Sequence, residues 1–266
     1  HAVGHLMYSR IWNRYLYDKG ISPVAEPFQK LVHQGMILGS NGIKMGKRFP
    51  EFVINPSDIV REYGADTLRT YEMFMGDYQM DAPWSTETLK GCKRFLERVV
   101  KLGSKLNEKV GYTDEVLVNK TIKKVTTDNE TLKYNTAISS LMSMLNEYDK
   151  YKDGITKDDY RVLLHLLNPD APHITEELNE QYNLGKPLCE SAWPIYDEAK
   201  TIDEEKEIAV QVNGKVRATI KINVNENEES IKEKALSTEN VKNHTDGKEI
   251  VKIIVIKGKI VNIVVK

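Results

Sequence analysis

The stretch "GIKMGKRFPEFVINPSDIVREYGADTLRTYEMFMG", Gly42 to Gly76, decides how this chain is read. It sets Lys44, Lys47 and Arg48 around a glycine, after the apolar run "LVHQGMIL" (31–38) and before the helix-start residues Pro56, Ser57 and Asp58. Cations grouped on a pliable connector suit a polyphosphate, although such a string taken alone is far more often a solvated surface loop. Downstream, Ile59, Val60, Tyr63, Leu68, Tyr71 and Phe74 recur at helical spacing, which predicts a core face shared by two helices, "DIVREY" and "ADTLRTYEMFM". Upstream, the run 31–38 is short, apolar and bounded by glycine, which predicts a buried strand feeding the loop. Between residues 2 and 17, Val3, Leu6, Met7, Arg10, Ile11, Arg14 and Tyr15 fall three and four apart, predicting an amphipathic helix that ends near Gly20 and Pro23.

Beyond the loop the period stays helical for a long way. Leu89, Cys92, Phe95, Leu96, Val99 and Leu102 form one apolar stripe within a helix expected from Ser85 to Asn107. Further helices are expected at about 115–128, 131–150, 157–167 and 171–182, separated by the breakers "KDGIT" and "NPDAP". Short connections between consecutive amphipathic helices imply an antiparallel bundle. After Pro194 the pattern changes to strict alternation in "EIAVQVNGKVRATIKINV", centred on Asn213-Gly214, a favoured two-residue hairpin turn. A helix over about Glu228 to Ser237 and a second pair of strands turning at Gly258 complete a small α/β unit of order ββαββ.

Composition narrows the function classes without choosing one. The 38 basic and 39 acidic residues of the 266 cancel to a net charge of −1, so attraction to nucleic acid has to come from local patches. Cys92 and Cys189 are the only cysteines and form no CxxC pair, which argues against a zinc site or disulfide framework and for a reducing, cytoplasmic setting. No apolar run approaches the roughly 20 residues needed to cross a bilayer. The chain starts at His1 within an expected helix, so it is expected to be a piece of a longer polypeptide.

Taken in order, these strings resemble the class I aminoacyl-tRNA synthetases, and within them the bacterial leucyl-tRNA synthetase family. "HAVGHLMYSRIW" resembles the helix in the second half of that family's nucleotide-binding domain, "HQGMILG" the strand before its signature loop, and "KMGKR" stands where the family carries KMSKS. "NPSDIVREYGADTLRTYEMFMG", "PWS", "YNTAIS", "LLNPDAPHITEEL", "VQVNGKVRA" and "KIVNIVVK" extend the likeness through the bundle to the carboxy-terminal domain. The resemblance implies a multidomain α and β chain: a remnant of a Rossmann-like catalytic domain with the signature loop over 1–84, an anticodon-binding-like helical bundle over 85–198, and a carboxy-terminal α/β tRNA-binding domain over 199–266. It implies a monomeric ligase that activates leucine with ATP, accompanied by magnesium, and transfers it to tRNA(Leu).

Residue roles follow from the same likeness. Lys44 and Lys47 occupy the signature's two lysine positions and would stabilise departing pyrophosphate, where mobile ammonium groups gain most as charge develops. Gly35 and Met36 match backbone that lies against adenine, Met45 belongs to the same ATP-binding loop, and His5 matches a position beside the leucine side chain. Lys215, Arg217, Lys257 and Lys259, at or near the hairpin tips, would contact tRNA phosphates, although cations at hairpin ends also serve solubility and guard sheet edges. Arg94 and Arg98 on the first bundle helix could touch RNA, but a solvated role is the simpler expectation. Gly46 and Arg48 replace both serines of the signature, and "FPEF" lengthens its continuation by one residue. "HAVGH" is not the family's other signature, because His1 and His5 are four apart on one helix face rather than three apart after a strand. Without the first half of the nucleotide-binding fold, the isolated polypeptide is expected not to charge tRNA. A free-standing, non-catalytic tRNA-binding module and a class I synthetase for valine, isoleucine or methionine are the rival readings.

Overall fold

The computed structural model describes residues 2–202, 205–223, 226–256 and 259–266. The expected turn at Gly258 and the candidate Lys257 lie outside the described residues, as does His1. A wide helical turn, Ala2–Met7, runs into α1 (Tyr8–Asp18). The predicted amphipathic helix is therefore present, but its apolar side is uncovered: Ile11, Trp12 and Tyr15 are all more than half exposed. The predicted strand over 31–38 shrinks to β1 (Ile37–Leu38), which pairs in parallel with β2 (Ala82–Pro83). The reason lies in contacts distant in sequence. The N–H groups of Gly35 and Met36 donate to the Tyr78 carbonyl (2.9 Å) and the Asp81 carboxylate (2.7 Å), so a turn rather than a ladder satisfies them.

The two helices after the loop form as expected, α2 (Pro56–Tyr63) and α3 (Ala65–Phe74). Asn55 caps α2 by accepting from the Ser57 N–H at 3.1 Å, with Pro56 preset at the first helical position. Of the predicted core face, Leu68 and Tyr71 are buried, Ile59, Tyr63 and Phe74 pack at the edge of their cluster, and Val60 stays exposed. Trp84 meets Tyr71 edge-on at 4.8 Å, and the Tyr71 hydroxyl accepts the Ser85 N–H at 2.7 Å, fixing α3 against the start of the next helix.

That helix, α4 (Thr86–Gly103), opens the bundle, followed by α5 (Glu115–Glu130), α6 (Tyr134–Tyr148), α7 (Lys157–Leu167) and α8 (Pro172–Gln181). The stripe Leu89, Cys92, Phe95, Leu96, Val99 and Leu102 is buried throughout. From Phe95 onward it joins Leu141, Tyr148, Tyr160 and Leu163 in one continuous core. α8 has no side-chain cap of its own. Asp66, on α3, supplies it instead, accepting the Ile174 N–H at 2.7 Å and pairing with His173 Nδ1 at 2.7 Å. One turn further along α3, Arg69 donates to the carbonyls of Pro169 (2.8 Å) and Asp170 (3.2 Å). The "NPDAPH" breaker is thus where the bundle is bolted to the loop-bearing segment.

Burial at this bolt pushes the Asp170 carboxyl up to about 6, against the opposing pull of Arg69. A carboxyl whose folded pKa is raised binds more protons folded than unfolded, so its contribution to stability falls as pH rises from about 4 to 6 and stays lost above. Replacing Asp170 by Asn is expected to stabilise the chain at pH 7 by on the order of 2 kcal/mol and to flatten that window. Urea titrations of both proteins at pH 4.5 and 7 would show the gap opening only at the higher pH.

The last unit comprises β3 (Glu205–Val212), β4 (Lys215–Asn223), α9 (Glu228–Ser237), α10 (Glu239–Thr245), β5 (Ile250–Ile256) and β6 (Ile260–Val265). Its sheet order is β4-β3-β6-β5, with β3 parallel to β6 and both outer pairs antiparallel. The order is ββααββ rather than ββαββ. Thr238 is extended (φ −69°, ψ 128°) and divides the helical stretch, while Val241 of α10 is fully buried against the sheet. Asn213 and Gly214 turn the first hairpin with φ of 48° and 78°, as their residue types require. The Asn213 side chain also bonds both backbone groups of Val265 at 3.0 Å, tying the turn to β6.

Candidate functional site

A cleft of about 540 Å³ opens beside β1, and Gly35, Met36, Lys44 and Met45 line it together with Glu72, Asp77, Tyr78 and Met80. Its floor is set by close backbone contact. A Cβ on Gly35 would come within 2.0 Å of the Met80 carbonyl oxygen, so only glycine lets the 34–36 segment seat against the 77–82 turn. Met80 N–H and Gln79 N–H both donate to Asp77, closing that turn on itself. The Ala82 N–H then donates to Met36 at 3.0 Å and the Trp84 N–H to Leu38 at 2.9 Å, which continue the register into β1 and β2.

The loop is anchored at one residue and open at its neighbours. Met45 is half-buried in the Leu68–Tyr71 cluster, and its sulfur accepts the Ile54 N–H at 3.4 Å. Lys44 precedes it in an isolated bridge to Leu38, with its side chain on the cleft wall and exposed. Lys47 follows on an exposed turn outside the lining, and the Arg48 guanidinium lies 5.4 Å from the Phe49 ring centre. Met45 thus pins the loop between two exposed lysines, whose ammonium groups are not held by the packing that fixes the methionine. A Cβ at Gly46 would meet nothing within 4 Å, and its φ is not positive. Gly46→Ser is therefore expected to change stability by less than about 0.5 kcal/mol, as thermal melts would record.

The structure brings four of the six predicted catalytic-domain residues to one cleft, leaves Lys47 exposed outside its lining, and keeps His5 apart on the exposed first helical turn. It adds residues that sequence reading missed. Glu72 is the one acid of α3 on the cleft wall, and desolvation there pushes its carboxyl up while Arg69 pulls it down. Asp81 positions Met36 across 45 residues of sequence. No local pattern reports such contacts, because only the β1–β2 pairing brings the two segments together.

In the last unit Lys215 sits opposite Val212 at one end of the sheet, while Lys259 precedes Ile260, which pairs with Ala209. With about 3.3 Å per residue, the two cations are set roughly 10 Å or more apart along the strands. Arg217 occupies the bulge between the Val210–Ala218 and Gln211–Val216 pairs, and its buried Nε has no hydrogen-bond partner. Arg98, by contrast, is committed to the bundle through Asn146 (2.8 Å) and Asp149 (2.6 Å), whereas Arg94 is exposed. Among the described residues no helix is long and apolar enough to cross a membrane.

Comparison with known proteins gives this geometry its setting. Residues 17–85 match the family of tRNA synthetases class I (I, L, M and V), and residues 116–233 match the anticodon-binding domain of tRNA ligase. A leucine-tRNA ligase of Alkaliphilus oremlandii (strain OhILAs) is 50% identical over the whole chain, which spans 33% of that relative's length. A crystal structure of the Agrobacterium radiobacter K84 agnB2 LeuRS-tRNA-LeuAMS ternary complex superposes on the whole chain with a TM-score of 0.71 at 30% identity, and this chain covers 37% of it. Loop segment, bundle and terminal sheet thus all fall within one alignment, and the chain is homologous over its whole length to about a third of a leucine-tRNA ligase, a segment matching the class I tRNA synthetases being followed by one matching the anticodon-binding domain.

Proposed function

We propose that this chain supplies a leucine-tRNA ligase with its phosphate-facing loop and much of its tRNA-binding surface. The observation that carries the reading is the convergence of Lys44 with the Gly35-Met36 backbone on one cleft. Adenine would lie along that backbone and the triphosphate would run toward the 44–48 loop, with magnesium arriving on the nucleotide. The leucine carboxylate attacks the α-phosphorus, the bond to the β-phosphate bridging oxygen breaks, and pyrophosphate leaves with its growing charge met by Lys44 and Lys47. The leucyl group then passes to a hydroxyl of the terminal ribose of tRNA(Leu), releasing AMP. The working boundaries are 1–84 for the remnant of a Rossmann-like catalytic domain, 85–198 for the bundle and 199–266 for the terminal unit. Cys92 is buried, Cys189 is exposed, and both are free thiols, which fits a reducing cytoplasm.

The terminal unit supports tRNA binding through charge placed by geometry. The bulge turns Arg217 off the regular ladder next to Lys215, so two cations stand near one hairpin tip. Each phosphate neutralised releases counterions, so affinity falls with salt and carries little sequence information. Changing Lys215 and Arg217 together to Gln in the intact ligase is expected to weaken tRNA(Leu) binding and to reduce the slope of log Kd against log salt by about 1 to 2. Filter binding between 50 and 300 mM salt measures this; an unchanged slope would remove these residues from the interface. For the loop, leucine-dependent ATP-pyrophosphate exchange by the intact ligase is expected to collapse when Lys44 and Lys47 are both changed to alanine, and an unchanged rate would remove them from phosphate handling.

A further inference from the structure

The cleft touches the bundle at a point that the ligase chemistry does not use. Tyr78, on the cleft wall, meets Tyr134, the first residue of α6, edge to face at 5.4 Å and 84°. Both rings are half-buried. The same Tyr78 accepts the Gly35 N–H through its carbonyl at 2.9 Å, and the next N–H, that of Met36, is held by Asp81 in the same turn. Gly35 has no room to move independently of this turn, because its α-carbon lies directly over the Met80 peptide. A displacement of Tyr78 is therefore a displacement of Gly35.

We propose that Tyr134 is a positioning residue for the cleft: by buttressing Tyr78 from the bundle, it fixes the backbone of Gly35 and Met36 on which a nucleotide base would rest. Edge-to-face pairs hold one ring at a defined angle to the other, so the contact is directional in a way that aliphatic packing is not. α3 leaves little slack elsewhere. Its first two turns are bolted down, Asp66 to the start of α8 and Arg69 to the Pro169–Asp170 carbonyls just before it, and it packs on α6 and on the α4 that follows β2. With the helix held at one end, the Tyr78–Tyr134 pair sets where the turn beyond its other end comes to rest. The bundle, matched to a tRNA-binding family, would in this way bias the geometry of the nucleotide cleft without contacting the reacting atoms.

The part concerning nucleotide rests on the function proposed above, and the test keeps the two separate. Amide hydrogen exchange is measured on the full chain for Tyr134→Ala, Tyr134→Phe and Tyr78→Leu. The Ala and Leu variants are expected to speed exchange at Gly35 and Met36 about tenfold while bundle-core amides such as those of Leu141 and Leu163 stay protected. The Phe variant, which keeps the ring, is expected to remain within about twofold of the parent. Unchanged exchange at Gly35 in Tyr78→Leu, or a Phe variant as loose as the Ala variant, would overturn the proposal. Should Tyr134→Ala lose the bundle's protection as well, Tyr78→Leu decides, since it alters the pair from the cleft side. In the intact ligase, Tyr134→Ala is then expected to raise the KM for ATP several-fold with kcat for leucine activation little changed. Loosened amides with an unaltered KM would uphold the positioning and reject the cleft as the adenine site.

Discussion

Replacing Lys44 and Lys47 together by alanine in the intact ligase is expected to slow leucine-dependent ATP-pyrophosphate exchange by about 10³-fold or more. Removing one preorganised donor from developing charge typically costs about 10²- to 10³-fold, and two groups serving the same leaving phosphates lose less than the product of their separate effects. Lys44 lies on the cleft wall and Lys47 on the exposed turn that follows the anchored Met45. The split between parameters is informative. If the ammonium groups act chiefly as pyrophosphate departs, kcat and kcat/KM fall together; if they only hold ground-state ATP, KM rises and kcat survives. Lys44→Arg should recover little, because a planar fork on a different stem does not replace a mobile point charge. Stability provides the control: both lysines are exposed, so the double variant should melt within a few degrees of the parent.

The largest effect on stability is expected at Asp159, which has no bearing on the cleft. Its carboxyl is completely buried and is the hub of the α7 capping box. One oxygen accepts from the Thr113 N–H (2.9 Å) and hydroxyl and from the Thr156 N–H (3.2 Å) and hydroxyl (2.8 Å); the other accepts from the Tyr148 hydroxyl (3.3 Å). Burial and the neighbouring Asp159 push the Tyr148 phenol well above its ordinary range, so it serves as a donor at any physiological pH. Asp159→Ala strands these donors in the core and is expected to destabilise the chain by about 3 to 5 kcal/mol. Asp159→Asn, which keeps the shape and one acceptor, should cost about half as much. Guanidinium unfolding followed by circular dichroism at 222 nm separates the two; equal stability of parent and Ala variant would show that the network is not what holds α5 to α7.

Most of the bundle could be read in the sequence because its signals are local. The stripe from Leu89 to Leu102 reports its own burial, and breakers such as "NPDAP" mark where helices stop. The hairpin at Asn213-Gly214 was legible for the same reason, since two residues determine the turn. What stayed hidden depends on partners distant in sequence. Residues 31–38 look like strand because the run is short, apolar and bounded by glycine, yet the N–H groups of Gly35 and Met36 are claimed by Tyr78 and Asp81, more than forty residues on. α10 was hidden because its short, polar stretch "ENVKNHT" buries only Val241. The α8 cap is supplied by Asp66, 108 positions before the residue it caps, and no local pattern announces it. In the cleft, the signature lysines and Gly35-Met36 could be picked out by resemblance, whereas Glu72, Asp81 and the Tyr78–Tyr134 pair emerge only once β1 meets β2.

Affinity labelling of the intact ligase reports directly where the phosphates of ATP lie. An adenosine diphosphate ending in pyridoxal forms a Schiff base with lysines at the phosphate end of a nucleotide site, and borohydride fixes the adduct for peptide mapping. The prediction is that the label falls on Lys44 and Lys47 and that ATP with magnesium protects both. Modification that ATP does not suppress, or that goes instead to Lys93 and Lys101 on α4, would place the triphosphate elsewhere and contradict the account.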